Sequence, residues 1–196
     1  MIAIIDYDMG NLRSLENALA RLGATFTVSA DEEVIRSADK VILPGVGHAG
    51  KAMDNLAARG LVEVIRSLRQ PVLGICVGMQ VLCRDSEEAP GKPCIGVFDA
   101  RVLKFDPAPG IKVPHMGWND IGNLESRLLK DLPSHPSLYF VHSYYAGLST
   151  DTVATCRYGD VLFSAALKYE RFYGTQFHPE KSGAVGEQIL RNFLEI

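Results

Sequence analysis

Residues 71–80 of the chain read Pro-Val-Leu-Gly-Ile-Cys-Val-Gly-Met-Gln, and they predict a buried strand, a sharp turn and a helix. The apolar run Val72–Ile75 predicts the strand, and the helix-compatible segment Val77–Cys83 follows it. Cys76 stands at the turn between two nearby glycines. A helix N-terminus carries partial positive charge, which favours a thiolate, and the backbone N–H of Val77 lies beside it. The pattern is the thiol version of a serine nucleophile elbow.

Outward from this stretch, the first half of the chain alternates strands and helices. We expect strands at Ile2–Asp6, Thr25–Val28, Val41–Leu43 and Val72–Ile75, and helices at Asn11–Leu22, from a cap at Asp31 through Ser37, at Ala49–Ala58 and at Leu61–Leu68. Strands separated by helices indicate a parallel sheet that is covered on both faces.

The second half is rich in alternating, β-type segments. They are Ile95–Phe105, Ile111–Ile121, Leu138–Tyr145, Thr152–Arg157, Val161–Tyr169 and Phe172–Phe177, and a closing helix is expected at Gly186–Leu194. These segments predict hairpins or antiparallel additions to the sheet. The sequence therefore predicts one α/β domain over residues 1–196, with a central mixed, largely parallel sheet flanked by helices and an added antiparallel portion.

Composition and length exclude several classes of protein. A chain of 196 residues can build one domain with a sizeable core. A net charge of −3 without a basic cluster argues against nucleic acid as a partner. The apolar stretches are too short to span a bilayer, and the first six residues predict a buried strand rather than a signal peptide.

The cysteines give no sign of a metal site or a disulfide framework. They stand at positions 76, 83, 94 and 156, without a Cys-x-x-Cys pair. We expect Cys83, Cys94 and Cys156 to be small buried residues. No metal and no cofactor is expected, and the pattern favours a reducing cytoplasm.

A cysteine nucleophile needs a base and a group that orients the base, and His178-Pro179-Glu180 supplies both. Proline disfavours helix at the residue before it, so His178 should be extended. Residues i and i+2 of an extended segment share a face, so we expect Glu180 to lie on the same side as His178, in a position to hold its ring. Either motif alone has a high rate of chance matches. Both, however, follow strands of an open α/β sheet, where ligands bind.

A third strand end carries Pro44-Gly45-Val46-Gly47. Two glycines let the backbone approach a ligand closely, so N–H groups here could face an oxyanion together with the N–H of Val77. An ordinary strand-to-helix turn would have the same composition, and this segment alone decides nothing.

These motifs together resemble those of the class I glutamine amidotransferases. The matching segments are Gly-Ile-Cys-Val-Gly-Met-Gln at 74–80, Pro-Gly-Val-Gly at 44–47 and Gln-Phe-His-Pro-Glu at 176–180, in the family's order. The resemblance covers nearly the whole chain. It implies a flavodoxin-like class I amidotransferase fold, a triad of Cys76, His178 and Glu180, and attack of the thiolate on the side-chain amide of glutamine.

The resemblance also assigns roles around the triad. It implies that Gly45, Val46, Gly47 and Val77 form the oxyanion and glutamine-binding region. Gln80 lies one helical turn after the cysteine and is expected to contact bound glutamine. By the same resemblance, Ser143 and Tyr144 hold the backbone groups of the substrate.

Val46 departs from what an oxyanion hole needs, because a β-branched residue tolerates a positive φ poorly. We therefore expect the hole to be incomplete in the isolated chain, which should have little glutaminase activity. The resemblance implies that a partner and its nucleotide complete it.

Four further segments resemble one branch of the family, in which the partner is a cyclase subunit with a (β/α)8 barrel and the two form a heterodimer. These segments are Ile5–Ser14, Pro114–Asn119, Tyr139–Tyr144 and His178–Ser182. The branch implies that Asn11, Trp118, Tyr139 and Lys181 face the partner, and the single tryptophan is of a type enriched at interface hot spots.

Three other readings stay open from the sequence. The chain could be the glutaminase subunit of another synthase, against which the N-terminal and Trp118 segments argue. It could be a free-standing cysteine hydrolase acting on γ-glutamyl bonds. It could also be a non-catalytic, flavodoxin-like binding module, in which replacement of Cys76 would change nothing.

Overall fold

The structure is a computed structural model, and it describes residues 1–108 and 111–196. The strands are β1 (Ile2–Ile5), β2 (Phe26–Ser29), β3 (Lys40–Leu43), β4 (Val72–Ile75), β5 (Asp85–Ser86), β6 (Arg101–Lys104), β7 (His115–Gly122), β8 (Ser137–His142), β9 (Tyr144–Ala146), β10 (Thr152–Tyr158), β11 (Val161–Tyr169) and β12 (Phe172–Thr175). The helices are α1 (Leu12–Arg21), α2 (Glu32–Ser37), α3 (Ala49–Ala58), α4 (Leu61–Arg66), α5 (Val77–Leu82) and α6 (Gly183–Glu195).

The main sheet is mixed, as the sequence predicts. Its order within the described residues is β2-β1-β3-β4-β12-β11-β10-β7-β8. The first five strands in this order run parallel to one another, and the remaining pairs are antiparallel. The α/β fold with a mixed sheet between helices is therefore confirmed. A small second sheet, β5-β6-β9, packs beside it.

The parallel half lies at the centre of the core. Every residue of β1 and of β4 is buried, so both faces of these strands are covered. The helices of this half begin where the sequence predicts, and the Asp31 side chain caps α2 by accepting hydrogen bonds from the backbone N–H groups of Glu33 and Val34.

In the β-rich half, β7 begins at His115 rather than Ile111, β12 ends at Thr175 and α6 begins at Gly183 rather than Gly186. Two larger departures concern the segments 138–145 and 95–105. Leu138–Tyr145 is not one strand, because the chain leaves the main sheet after His142 and enters the small sheet at Tyr144. The segment 95–100 forms no strand, since its backbone N–H groups at Ile95, Gly96 and Val97 bond to carbonyls at the end of α5 instead. The first of these corrections concerns residues that line the site described below.

Among the described residues, no helix is both long and apolar enough to cross a membrane.

Candidate active site

Three neighbouring parallel strands deliver the predicted residues to one edge of the sheet. β3 and β12 both pair with β4 in parallel, so the carboxyl ends of all three meet. Gly45–Gly47 follows β3, Cys76 follows β4 and His178 comes shortly after β12. Sheet topology thus brings together segments that lie far apart in the chain.

Cys76 has a backbone conformation that a non-glycine residue rarely adopts, with φ of +53° and ψ of −110°. Its N–H donates to the carbonyl of Thr175 at 2.7 Å, which fixes it against the end of β12. A Cβ at Gly78 would lie 1.9 Å from the Leu43 carbonyl oxygen, and one at Gly74 would lie 2.7 Å from the Gly78 oxygen. Glycine is required at both positions, because Gly78 packs on the backbone of β3 and Gly74 packs on the backbone of Gly78.

His178 is held by Glu180. Its Nδ1 lies 2.8 Å from Glu180 Oε1, and the two side chains are 1% and 5% exposed. The expected contact is present, but the geometric reason for it is wrong. His178 is extended, whereas Pro179–Lys181 forms a single 3₁₀ turn, and this turn brings the carboxylate back to the ring. Because Nδ1 is engaged, Nε2 is the nitrogen left for chemistry, and it makes no hydrogen bond.

The imidazole of His178 is set to carry a proton. Burial opposes its protonation, but the interaction with Cys76, followed by the hydrogen bond and charge of Glu180, outweighs burial and raises the pKa of His178 to about 10. The raised pKa keeps the imidazole of His178 protonated at neutral pH, beside the sulfur of Cys76, with which it forms a pair.

A cavity of about 280 Å³ opens beside this pair. It is lined by Val46, Gly47, Cys76, Val77, Gln80, Glu88, Pro114, Val141, His142, Ser143, Tyr144 and His178. Its size lies just below the usual range for ligand pockets, which suits a substrate as small as one amino acid. In residues 1–108 and 111–196, no cluster of three His, Cys, Asp or Glu side chains is arranged to hold a metal ion.

The family model described as glutamine amidotransferase class-I matches residues 3–196. The chain belongs to the class-I glutamine amidotransferase family. Its fold is that of known amidotransferases: a crystal structure described as a glutamine amidotransferase superposes with a TM-score of 0.77 at 20% identity, covering 100% of this chain and 98% of the other. A glutamine amidotransferase from Thermotoga maritima gives a TM-score of 0.61 at 18% identity, covering 99% of this chain and 80% of the other.

Curated relatives are much closer in sequence to this amidotransferase. Imidazole glycerol phosphate synthase subunit HisH of Bacteroides thetaiotaomicron is 50% identical over 196 residues, which cover 100% of this chain and 99% of the relative. The protein of the same name from Bacteroides fragilis is 52% identical with the same coverage. That from Pectobacterium atrosepticum is 45% identical, again with the same coverage.

Only part of the segment assigned to the oxyanion lies at the cavity. Val46 and Gly47 line the cavity, but Gly45 does not. A Cβ at Gly45 would lie 2.4 Å from the Gly78 nitrogen, so Gly45 permits close packing on the amidotransferase elbow. Val46 keeps a negative φ, whereas Gly47 has φ of +88°.

Tyr7 fixes the start of this segment and was not predicted from the sequence. Its hydroxyl donates to the carbonyl of Pro44 at 2.6 Å in a fully buried position. Burial, and secondarily the charge of Cys76, raises the pKa of Tyr7, so it remains a donor.

Gln80, Ser143 and Tyr144 line the cavity, where the family resemblance expects them. The Gln80 amide nitrogen is already engaged, however, because it donates to the Tyr144 carbonyl at 2.9 Å and to Gln176 Oε1 at 3.0 Å. The amide oxygen of Gln80 is therefore the atom that is free to contact a substrate.

The four residues expected at the partner surface lie on the outside of the same end of the amidotransferase. Asn11 and Lys181 are exposed, and Trp118 is 58% exposed. Trp118 and the partly exposed Tyr139 lie opposite each other on β7 and β8, with ring centroids 6.1 Å apart. Met116, which precedes Trp118 on the same face of β7, is 62% exposed, so an apolar surface continues along this strand.

Sequence reasoning missed three groups at the site. Glu88 lines the cavity and also accepts from the Ala49 N–H at 2.6 Å. His115 and His142 form a buried pair, with Nδ1 and Nε2 3.0 Å apart. Gln176 lies behind Cys76. Glu88 stands beyond α5 with no local signal, whereas Gln176 belongs to the quoted motif at 176–180 and could have been considered.

Proposed function

We propose that this chain is the glutaminase subunit of an imidazole glycerol phosphate synthase, hydrolysing glutamine to glutamate and ammonia. The proposal is supported by a His178–Glu180 contact at the cavity that Cys76 also lines, in a chain that is about half identical, end to end, to HisH subunits. Other glutaminases share the fold, but the identity to HisH extends over the whole chain.

The reaction follows from the charges at the site. The Cys76 thiolate attacks the carboxamide carbon of glutamine, and the tetrahedral intermediate carries its negative charge on oxygen. The C–N bond then breaks as His178 Nε2 gives its proton to the leaving nitrogen, which departs as ammonia. A γ-glutamyl thioester remains on Cys76, and a water that loses a proton to His178 releases glutamate and regenerates the thiolate.

The oxyanion requires donors that point into the cavity. The N–H of Val77 and one N–H of the Val46–Gly47 segment are the groups we assign to it, and one such donor typically contributes ~3 kcal/mol to the transition state. Because Val46 keeps a negative φ, we infer that the second donor is aligned only when the partner is bound.

The remaining lining residues suit the charged end of a free amino acid. Glu88 is the cavity carboxylate outside the triad, and we assign it to the α-ammonium group of glutamine. The backbone of Ser143 and Tyr144 is assigned to the other polar groups of the substrate. An amide with no free α-ammonium should then be a poor substrate.

We also propose the partner. It is a cyclase subunit with a (β/α)8 barrel, bound as a heterodimer through the surface that carries Asn11, Trp118, Tyr139 and Lys181. Together the two proteins convert a phosphoribulosyl formimino-carboxamide ribonucleotide to imidazole glycerol phosphate and an aminoimidazole carboxamide ribotide, a step of histidine biosynthesis. A partner docked over the site is needed because ammonia released into water is protonated and lost as a nucleophile.

Two further features support the proposed domain organisation and cellular location. The core is one connected cluster of buried residues drawn from both halves of the chain, which supports a single amidotransferase domain over residues 1–196. All four cysteines are free and buried, which supports a reducing cytoplasm as the location.

The test is glutamine hydrolysis by the chain alone, with the cyclase, and with the cyclase and its nucleotide substrate. We expect low turnover alone, co-elution of the two proteins and a large increase with the nucleotide. Steady turnover by the isolated chain equal to that of the complex would favour a free-standing hydrolase. Co-elution with, and stimulation by, the synthase partner of a different pathway would favour the other-synthase alternative.

A further inference from the structure

Gln176 is a buried side chain in contact with the nucleophile. It is fully buried, it follows β12 directly, and its Nε2 lies 3.7 Å from Cys76 Sγ. Its backbone N–H donates to the Ala165 carbonyl of β11 at 2.9 Å. Since Cys76 N–H is bonded to the adjacent Thr175 carbonyl, the two residues are held in register by the backbone itself.

The direction of the hydrogen bonds around Gln176 is fixed by one atom, the carbonyl oxygen of Tyr144. A carbonyl only accepts, so the atom of Gln80 at 2.9 Å from it must be the amide nitrogen. The second hydrogen of that nitrogen meets the Gln176 amide at 3.0 Å, which must present its oxygen. The other end of the Gln176 amide, turned toward the sulfur of Cys76, is therefore the donating nitrogen.

We propose that Gln176 is a further catalytic residue of this site, whose Nε2 amide donates a hydrogen bond to Cys76 Sγ and stabilises the thiolate before and after each covalent step. Gln80 is a positioning residue for Gln176, since it fixes which end of that amide faces the sulfur.

Because Gln176 and Cys76 are both buried, the hydrogen bond between them should have a large effect on the charge state of the sulfur. A buried amide needs partners for its polar atoms, and a donor to an ionised acceptor is stronger than a bond between neutral groups. The titratable groups around the sulfur are His178 and Tyr7, and Glu88 and His142 line the same cavity. His178 Nε2 serves the departing nitrogen, whereas the Gln176 amide can stay with the sulfur throughout.

The experiment measures the rate of Cys76 alkylation by iodoacetamide against pH in the isolated chain. Gln176→Met keeps the length of the side chain but removes the donor, and we expect an alkylation rate about 10-fold lower at neutral pH, with the profile displaced to higher pH. Gln176→Glu replaces the donor by an acceptor and should lower the rate further.

The matched control is Thr175→Val, a neighbouring buried change on the same strand. Thr175 Oγ1 makes no hydrogen bond, so this variant should alkylate as the wild type does. Cooperative thermal unfolding of each variant shows that it is folded. Alkylation profiles of folded Gln176→Met and Gln176→Glu that coincide with the wild type would overturn the proposal.

A second measurement needs no substitution of Gln176. In the wild-type chain, the NMR shift of the Gln176 side-chain amide protons should change with pH at the midpoint of the alkylation profile, and the change should vanish in Cys76→Ala. If the Gln176 amide proton shift does not change over the pH range in which Cys76 ionises, the proposal is contradicted. This outcome does not depend on whether the variants fold.

The inference rests on the proposed role of Cys76 as nucleophile, but alkylation requires no glutamine. Failure of wild-type glutamine turnover with the cyclase would therefore count against the proposed function alone. Unchanged alkylation in the Gln176 variants would count against the role of Gln176 alone.

Discussion

At the level of single residues, we propose that Val46 limits the oxyanion site in the isolated chain. Its backbone has a negative φ beside Gly47 at +88°, and the Cβ branch opposes a positive φ that would turn an N–H toward the substrate oxygen. The bond from the Tyr7 hydroxyl to the Pro44 carbonyl holds the preceding peptide in place. The rearrangement that we propose would thus be confined to the peptide units around Val46 and Gly47.

Replacing Val46 by glycine should release this restraint. Because the left-handed region costs an L-residue about 1–2 kcal/mol, we expect Val46→Gly to raise glutamine turnover by the isolated chain about 5- to 30-fold. Val46→Ala, which keeps a Cβ, is the control and should give a smaller increase. Turnover by Val46→Gly at or below the wild-type level would show that φ at this position does not limit the activity.

Gly78 is restrained by packing rather than by φ. A methyl group there would lie 1.9 Å from the Leu43 carbonyl oxygen, so Gly78→Ala must push the elbow away from β3. We expect a loss of about 3 kcal/mol or more in the free energy of unfolding, measured with urea. Gly122→Ala is the control, since nothing lies within 4 Å of its added Cβ. Equal stability of the two variants would contradict the close approach.

At the level of elements, the junction of β8 and β9 organises the cavity wall. The Tyr144 carbonyl accepts from Gln80 Nε2 and from His142 Nδ1 at 2.8 Å. His142 Nε2 must then accept from His115 Nδ1, at 3.0 Å. Burial lowers the pKa of His115 to about 4 and that of His142 to about 3, so both rings stay neutral and the chain of bonds keeps one direction.

This pair makes a testable contribution to stability against pH. In the unfolded chain both histidines take up protons near pH ~6.5, whereas in the folded chain they stay neutral until a much lower pH. Their contribution to stability is therefore fully present above pH ~6.5 and is lost as the pH falls below it. We expect the free energy of unfolding to fall by up to ~2.7 kcal/mol per pH unit between about pH 6 and pH 4.

The comparison variant for this prediction is His115→Gln. It should reduce the slope of the free energy of unfolding against pH by about half, because the unfolded chain then takes up one proton fewer. His178 interferes little, because with its raised pKa it is largely protonated in both states in this range. His135→Gln, at an exposed position, is the control and should keep the wild-type slope. An unchanged slope in His115→Gln would contradict the neutral pair.

The elements show why some features follow from sequence and others do not. The parallel half, with α3 and β4 at their expected bounds, depends on apolar periodicity and turn residues, which are local. The split at Ser143 does not, because it is decided by pairing of Tyr144–Ala146 with the distant β6. Contact between His178 and Glu180 could be expected, but the 3₁₀ turn that makes it has no distinct local signature.

At the level of the whole molecule, the catalytic edge and the exposed apolar surface lie at the same end. The His178 N–H donates to the Tyr139 carbonyl at 2.9 Å, and the Tyr139 N–H donates to Ser182 Oγ at 3.0 Å. The backbone of the proposed partner surface is thus bonded directly to the backbone of the triad. A partner that moved β8 would therefore act directly on the backbone of His178.

The proposed interface predicts a loss of affinity on truncation of Trp118. Trp118→Ala should weaken binding of the cyclase, raising the Kd about 30-fold or more as for a hot-spot residue, measured by calorimetric titration. Tyr169→Ala is the control, since Tyr169 is a similarly exposed aromatic residue on β11, 48% exposed. Equal affinity of both variants and the wild type would place the partner elsewhere.

The most direct test of glutaminase chemistry at Cys76 is to replace this residue in the reconstituted complex and supply the nucleotide with either glutamine or ammonium salt. We predict that Cys76→Ala abolishes synthesis from glutamine and leaves synthesis from ammonia intact, while Cys83→Ala, a buried cysteine away from the cavity, keeps both. Glutamine-dependent synthesis that survives in Cys76→Ala would contradict the assignment of Cys76 as the nucleophile.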